Sequence, residues 1–275
     1  MRKTWFITGT SSGFGRQLTE QLLSRGDSVF ATLRKPTALA DLQALHGDRL
    51  RVATLDVTDP ANVRAVVQQA FTELGRIDVV VNNAAYGLFG AAEEVSDEQI
   101  HHQVDTNLLG SIHVIRAALP HLRAQQGGRI LQVSSEGGQI AYPGFSLYHA
   151  TKWGIEGFIE SVAQEVAPFG IEFTIAEPGP AKTGFGAGLV SPPALPAYEA
   201  TPAGDVRRAV ETGSFKLIGD AAKIAAAMIA SAERSPAPRR VVMGSTSYVA
   251  IRAALKNRIV ELDAQKDIAL STDSN

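Results

Sequence analysis

The chain contains no cysteine among its 275 residues. Disulfides, thiolate nucleophiles and cysteine-based zinc sites are therefore excluded. Neither sign of charge is in excess: 26 Lys and Arg against 28 Asp and Glu leave a formal net charge of −2. No basic stripe offers a surface for nucleic acid or an anionic membrane. Apolar runs stop well short of the ~20 residues a membrane span needs. The opening Met1-Arg-Lys-Thr-Trp-Phe-Ile breaks at glycine and serine too early for a signal peptide. Internal repeats, charge blocks and low-complexity segments are also missing. His101 and His102 are adjacent but have no carboxylate at metal-ligand spacing, so no metal site is expected. These absences point to a soluble, cytoplasmic protein.

Glycine is plentiful, and its placement carries information. Trp5-Phe-Ile-Thr8-Gly9 reads as a short buried strand, and Thr10-Ser11-Ser12-Gly13-Phe14-Gly15 follows it directly. That turn opens an amphipathic run, Gln17 to Leu23, which ends at Arg25-Gly26. Glycines let the backbone turn sharply and approach a pyrophosphate, and the amides at the start of the following helix attract its charge. The spacing is Gly-x-x-x-Gly-x-Gly rather than the Gly-x-Gly-x-x-Gly of the general dinucleotide fingerprint.

A second constellation lies in Ser146-Leu-Tyr148-His-Ala-Thr-Lys152, with Ser135 thirteen residues before Tyr148. On a helix, positions four apart share a face, so the phenol and the ammonium occupy one microenvironment. A fixed cation favours the phenolate and brings a group that titrates near pH ~10 toward a working range. A nearby serine hydroxyl is placed to hold the oxygen that gains or loses the proton. His149 points elsewhere on a helix and is read as packing or solvent-exposed. Ser134 faces away from Ser135 on a strand and is read as structural. Glu136 either lines the pocket and recognises a polar substrate group or faces water.

Together these motifs resemble the short-chain dehydrogenase/reductase family, in the branch with Thr-Gly-x-x-x-Gly-x-Gly. Asn82-Asn83-Ala84-Ala85 is similar to that family's Asn-Asn-Ala-Gly segment, with Ala85 in place of glycine. Asn107, in Asp105-Thr-Asn107-Leu-Leu-Gly110, falls where the family keeps a catalytic asparagine. Asp56-Val57 falls where relatives touch the adenine ring, and Pro178-Gly179-Pro-Ala-Lys-Thr183 resembles the segment around the nicotinamide. The resemblance is dense over residues 4–183 and looser to about 244.

The resemblance implies a tetrad of Asn107, Ser135, Tyr148 and Lys152. Tyr148 would be the acid or base, Ser135 would hold the reacting oxygen, and Lys152 would bind the nicotinamide ribose. Asn107 would hold a water for proton resupply. The cofactor would lie against Gly9, Ser11, Ser12, Gly13, Phe14, Gly15, Arg34, Asp56, Val57, Asn83, Ala84, Tyr148, Lys152, Pro178, Gly179 and Thr183.

The alternation of short apolar runs with helical patterns gives one α/β domain, a doubly wound parallel sheet of the Rossmann type. Strands are expected near 4–8, 28–33, 50–55, 78–82, 129–134, 171–176 and 239–243, with helices on both faces. A stretch rich in glycine and proline, 179–219, reads as a substrate lid, the competing reading being a loose surface loop. Residues 246–263 read as a helical extension. After the second strand, Leu33 and Arg34 stand where a carboxylate for the ribose 2′-hydroxyl is expected, which favours NADP(H) over NAD(H). The competing reading is an arginine in solvent.

Candidate pocket walls are Phe89, Tyr142, Phe145, Phe185, Leu189 and Tyr198, with no arginine cluster in the lid, so an apolar ketone or secondary alcohol is expected. Lys182 could instead turn inward and bind an anion. The resemblance implies a homo-oligomer through the helices near 104–124 and 148–168, a dimer rather than the alternative tetramer because the helical extension could block a second interface. Two other functions share the fold: an NADP(H)-sensing protein without turnover, and a sugar-nucleotide epimerase or dehydratase.

Overall fold

The computed structural model describes residues 2–186 and 188–274; Met1, Ala187 in the expected lid, and Asn275 lie outside the described residues. Seven strands form the sheet: β1 (Thr4–Thr8), β2 (Ser28–Leu33), β3 (Leu50–Thr54), β4 (Val79–Asn82), β5 (Gly128–Val133), β6 (Ile171–Pro178) and β7 (Arg240–Met243). Their order is β3-β2-β1-β4-β5-β6-β7, and every neighbouring pair is parallel. Trp5, Phe6 and Ile7 are all buried, as are all four residues of β4, because a parallel sheet is covered on both faces.

The helices are α1 (Gly13–Ser24), α2 (Ala40–His46), α3 (Pro60–Leu74), α4 (Asp97–Val104), α5 (Gly110–Ala124), α6 (Ser146–Val166), α7 (Pro202–Glu211), α8 (Ala221–Glu233), α9 (Ser245–Asp263) and α10 (Lys266–Ser271). Val63 of α3, Ile115 of α5 and Ile155 of α6 pack on one face of the sheet. Leu18 and Leu22 of α1, Leu42 of α2 and Met228 of α8 pack on the other. Local signals start the helices where they begin. Asp59 accepts hydrogen bonds from Ala61 N at 2.8 Å and Asn62 N at 3.1 Å, and Pro60 fills the first turn of α3.

The winding direction reverses between β1 and β4, so the carboxyl ends of these strands open a crevice. The expected strands lie within two residues of those observed. β6 runs on to Pro178 because Pro178 pairs with Met243 and Gly179 N donates to Met243 O at 2.9 Å.

Two departures matter more. Within 179–219 the chain folds into α7, where Pro202 occupies the first turn and needs no hydrogen-bond acceptor. Between α4 and α5 the helix widens into a single π turn, Asp105–Leu109, rather than starting afresh.

Candidate active site

At the end of β1 the turn is held by side chains of the neighbouring strand. Asn83 Nδ2 donates to Thr8 O at 2.9 Å and to Gly9 O at 3.0 Å. Thr8 Oγ1 accepts from the backbone N–H groups of Asn83 and Ala84, both at 3.0 Å. Gly9 has φ +71°, and a Cβ there would stand 2.8 Å from Ala84 Cα. A Cβ on Gly15 would stand 2.3 Å from Gly9 O. The glycines are therefore required by close backbone approach. Ser11 and Ser12 are exposed at the mouth of the turn, and Ser12, at the start of α1, makes no side-chain cap. Phe14 turns inward and packs against the core.

Arg34 follows β2 and is exposed. Asp56 Oδ1 accepts from Thr58 N at 3.0 Å and Thr58 Oγ1 at 2.7 Å. These bonds, and then the charges of Arg34 and His102, hold the Asp56 carboxyl below its ordinary range. Val57 is buried, and its Cγ2 would stand 2.8 Å from a Cβ on Gly110.

Beyond β5, Ser135 begins a 3₁₀ turn, Glu136–Gly138, and its Oγ accepts from Gly137 N at 3.0 Å. Tyr148 and Lys152 project from the first two turns of α6, and both are buried. Lys152 Nζ donates to Val133 O at 3.0 Å and lies 5.5 Å from the centre of the Tyr148 ring.

The titration of Tyr148 departs from the expectation of a lowered value. Burial pushes the phenol up to about 12, the Ser135 hydroxyl pulls it partway back, and the charge of Glu136 raises it further. Burial also brings Lys152 down to about 8, opposed by Glu156. In this enclosed setting desolvation of the phenolate outweighs the benefit of a cation held against Val133 O.

Asn107 sits in the π turn, 1% exposed. Its Oδ1 accepts from Tyr86 N at 3.0 Å and its Nδ2 donates to Tyr86 O at 2.8 Å. The amide thus clamps the segment after β4 with one bond at each of its polar atoms.

Apolar side chains close over Tyr148. Phe89, Phe145 and Tyr148 cluster with Tyr142 and Leu189, and the Phe185 ring lies 5.6 Å from that of Tyr148. Gly87 makes room for this cover, since a Cβ there would meet Leu189 Cδ2 at 2.4 Å and Phe185 Cζ at 2.7 Å. Tyr198 does not join the wall; its hydroxyl donates to Glu93 Oε2 at 2.8 Å. Lys182 is exposed, and its charge is felt by Asp220.

Sequence reasoning missed Glu94, which accepts from Ala91 N at 2.7 Å and Leu195 N at 2.9 Å and pairs with Arg207 of α7. An isolated Glu-Arg pair 113 residues apart leaves no local signal. His149 is 4% exposed with Tyr142 packed edge-on at 4.5 Å, and burial lowers it to about 4. Behind Lys152, Glu156 accepts from Ser134 Oγ at 2.5 Å and pairs with Arg240, which also binds Glu177 at 2.9 Å and Glu160 at 2.8 Å.

Residues 3–194 match the short chain dehydrogenase family model. The chain belongs to that family. This short-chain dehydrogenase is 40% identical over 246 residues, 89% of each chain, to oxidoreductase BOA17 of Botryotinia fuckeliana. It is 38% identical over 179 residues to 3-ketodihydrosphingosine reductase of Bacteroides thetaiotaomicron, covering 65% of this chain and 64% of the other. A short-chain dehydrogenase from Streptomyces avermitilis superposes with a TM-score of 0.91 at 36% identity, over 99% of this chain and 98% of that one.

Short-chain dehydrogenases are oxidoreductases, and proteins of this fold have been solved with NADP and with NAD. The turn after β1 suits such a dinucleotide: Gly9 and Gly15 let it close tightly against Ala84 and Asn83, and the uncapped start of α1 leaves backbone N–H groups for a pyrophosphate. Thr183 faces the same turn, its Cβ standing 3.6 Å from where a Gly13 Cβ would be, whereas Gly179 lies against Ser247 and Glu136. Among the described residues no cluster of His, Asp and Glu could hold a metal. None of the described helices is long and apolar enough to cross a membrane.

Proposed function

We propose that the enzyme is an NADP(H)-dependent reductase of apolar ketones, acting in reverse on the matching secondary alcohols. The observation that carries this reading is the meeting of Ser135, Tyr148 and Lys152 in a buried spot covered by Phe89, Tyr142, Phe145, Phe185 and Leu189. Bound nicotinamide supplies or accepts the hydride at the carbonyl carbon. Tyr148, held protonated by burial, gives its hydroxyl proton to the carbonyl oxygen as the C–O double bond becomes single. Ser135 donates to that oxygen and fixes its position. Lys152 holds positive charge 5.5 Å from the ring and offsets the phenolate that remains.

Arg34, just after β2 and where a carboxylate for the ribose 2′-hydroxyl would otherwise stand, supports a 2′-phosphate. The exposed Trp153 of α6 and Leu109 of the π turn support a dimer through the α5 and α6 faces, in a cytoplasmic enzyme. Light scattering giving a monomer at micromolar concentration would remove the dimer. A curated relative named for a ketone, the 3-ketodihydrosphingosine reductase, agrees with reduction as the reaction type.

The test of the chemistry is Tyr148→Phe. It should lower kcat by at least ~10³-fold, about 4 kcal/mol, while the Kd for NADPH stays within about threefold. Retention of a tenth of the wild-type kcat would rule out Tyr148 as the proton donor.

A further inference from the structure

Among the described residues four carboxylates are buried: Asp27, Glu136, Glu156 and Glu177. Three of them have an arginine, Asp27 pairing with Arg25, and Glu156 and Glu177 sharing Arg240. Glu136, 6% exposed, is in no ion pair among the described residues. A buried carboxylate without a cation costs several kcal/mol unless its oxygens find donors.

Its position is as unusual as its isolation. Glu136 follows Ser135 directly, and its charge is felt by both Tyr148 and Tyr142. Its Oε2 would stand 3.3 Å from a Cβ on Gly179, so the bareness of that glycine is what lets the carboxyl lie across the cleft. Burial raises its pKa, and the Ser247 hydroxyl at the start of α9 pulls it partway back. Ser247 Oγ has no partner at hydrogen-bonding distance among the described residues, and the Glu136 oxygens are not among the fully buried atoms without a partner, so a donor entering the cleft can reach them. The aromatic cluster around Tyr148 adds the Tyr142 hydroxyl and otherwise only apolar side chains. A charge beside Tyr148 also disfavours the phenolate, so the enzyme bears a second cost for keeping an acid here.

We propose that Glu136 anchors a hydrogen-bond donor on the substrate, a hydroxyl or protonated amine on the carbon next to the reacting carbonyl. This rests on the ketone-reductase reading and narrows it to apolar ketones that carry such a donor. With the carbonyl oxygen on Ser135 and Tyr148, the adjacent carbon falls within reach of the next residue along the turn. The donor would supply the missing partner, and the remainder of the molecule would lie against the aromatic wall.

The test uses the full-length enzyme with NADPH at pH 7 and three probes: acetophenone, 2-hydroxyacetophenone and 2-aminoacetophenone. The wild type should reduce at least one substituted ketone with kcat/KM about tenfold or more above acetophenone, the size of one hydrogen bond to a charged group. Glu136→Ala should cancel that preference. Glu136→Gln should keep part of a preference due to the hydroxyl and lose one due to the ammonium, which distinguishes the two sources. Equal kcat/KM for the three probes in the wild type would overturn the proposal. So would a Glu136→Ala loss that is the same for all three, as expected of an acid that only supports the turn.

If none of the probes is reduced, the reductase reading fails, and titration calorimetry of the same compounds with NADP+ present still decides the anchor. Tighter binding of a substituted ketone, lost in Glu136→Ala, supports it. Equal binding refutes it.

Discussion

On the β1 side of the cleft the glycine turn is fixed by hydrogen bonds that run from Thr8 and Asn83 into main chain, within two strands that are neighbours in the sheet. On the β6 side, residues 179–219 are held to the loop after β4 by one short backbone bridge, Phe89 N to Val190 O and Val190 N to Gly87 O, both 2.9 Å, and by side chains, Arg207 to Glu94, Tyr198 to Glu93, and Phe185 over Gly87 and Tyr148. The first side is built before any ligand arrives. The second rests on a few contacts from a segment that is largely exposed, so it belongs to the low-stability end of the molecule. A rigid turn facing a displaceable apolar cover suits the proposed reductase, in which a ketone would enter past Phe185.

The comparison breaks most severely at Gly15. In Gly15→Ala the new Cβ meets the Gly9 carbonyl at 2.3 Å, a backbone atom that cannot step aside. The Kd for NADPH should weaken by at least ~100-fold, about 2.7 kcal/mol, measured by fluorescence titration. A change below threefold would mean the turn is more pliant than its hydrogen bonds imply.

Arg34→Asp probes the same side without touching its frame. Replacing the exposed cation by an anion should move the ratio of kcat/KM for NADPH over NADH by about tenfold or more toward NADH. Equal use of both cofactors by the unaltered enzyme would contradict the phosphate role.

The smallest effect is expected on the other side. Glu94→Gln removes the charge that Arg207 answers but keeps an acceptor for Leu195 N. The KM for ketone should rise about threefold to tenfold and proteolysis within 184–201 should quicken, with the Kd for NADPH unmoved. Slower NADPH binding in this variant would show that the two sides are coupled.

The same division separates what the sequence discloses from what it hides. Strand, turn and helix around Gly9 to Gly15 are local, so Trp5-Phe-Ile-Thr8-Gly9 and the amphipathic run after it announce them. Tyr148 and Lys152 are legible because helical spacing turns four residues of sequence into one face. Asn107 is legible as a residue but not as a clamp, because its partner is the backbone of Tyr86 and the π turn that aims it has no sequence pattern. α7 was hidden by the prolines and glycines around it, although Pro202 in its first turn is a helix-start signal. The upward push on Tyr148 was also out of reach, since it depends on how completely Phe185, Phe145 and their neighbours shut out water.

Arg240 enters the sheet on its last strand, and it answers Glu156, Glu160 and Glu177, all made 63 or more residues earlier. During synthesis the ribosome therefore releases α6 and β6 with two buried acids still lacking their counter-ion. Native closure of that corner waits for β7, and a nascent chain stalled before residue 239 should remain protease-sensitive around α6 where one stalled well beyond α9 does not. Vectorial synthesis thereby places a timer on the proposed site: Tyr148 and Lys152 are translated first, but the corner that steadies their helix is completed almost last.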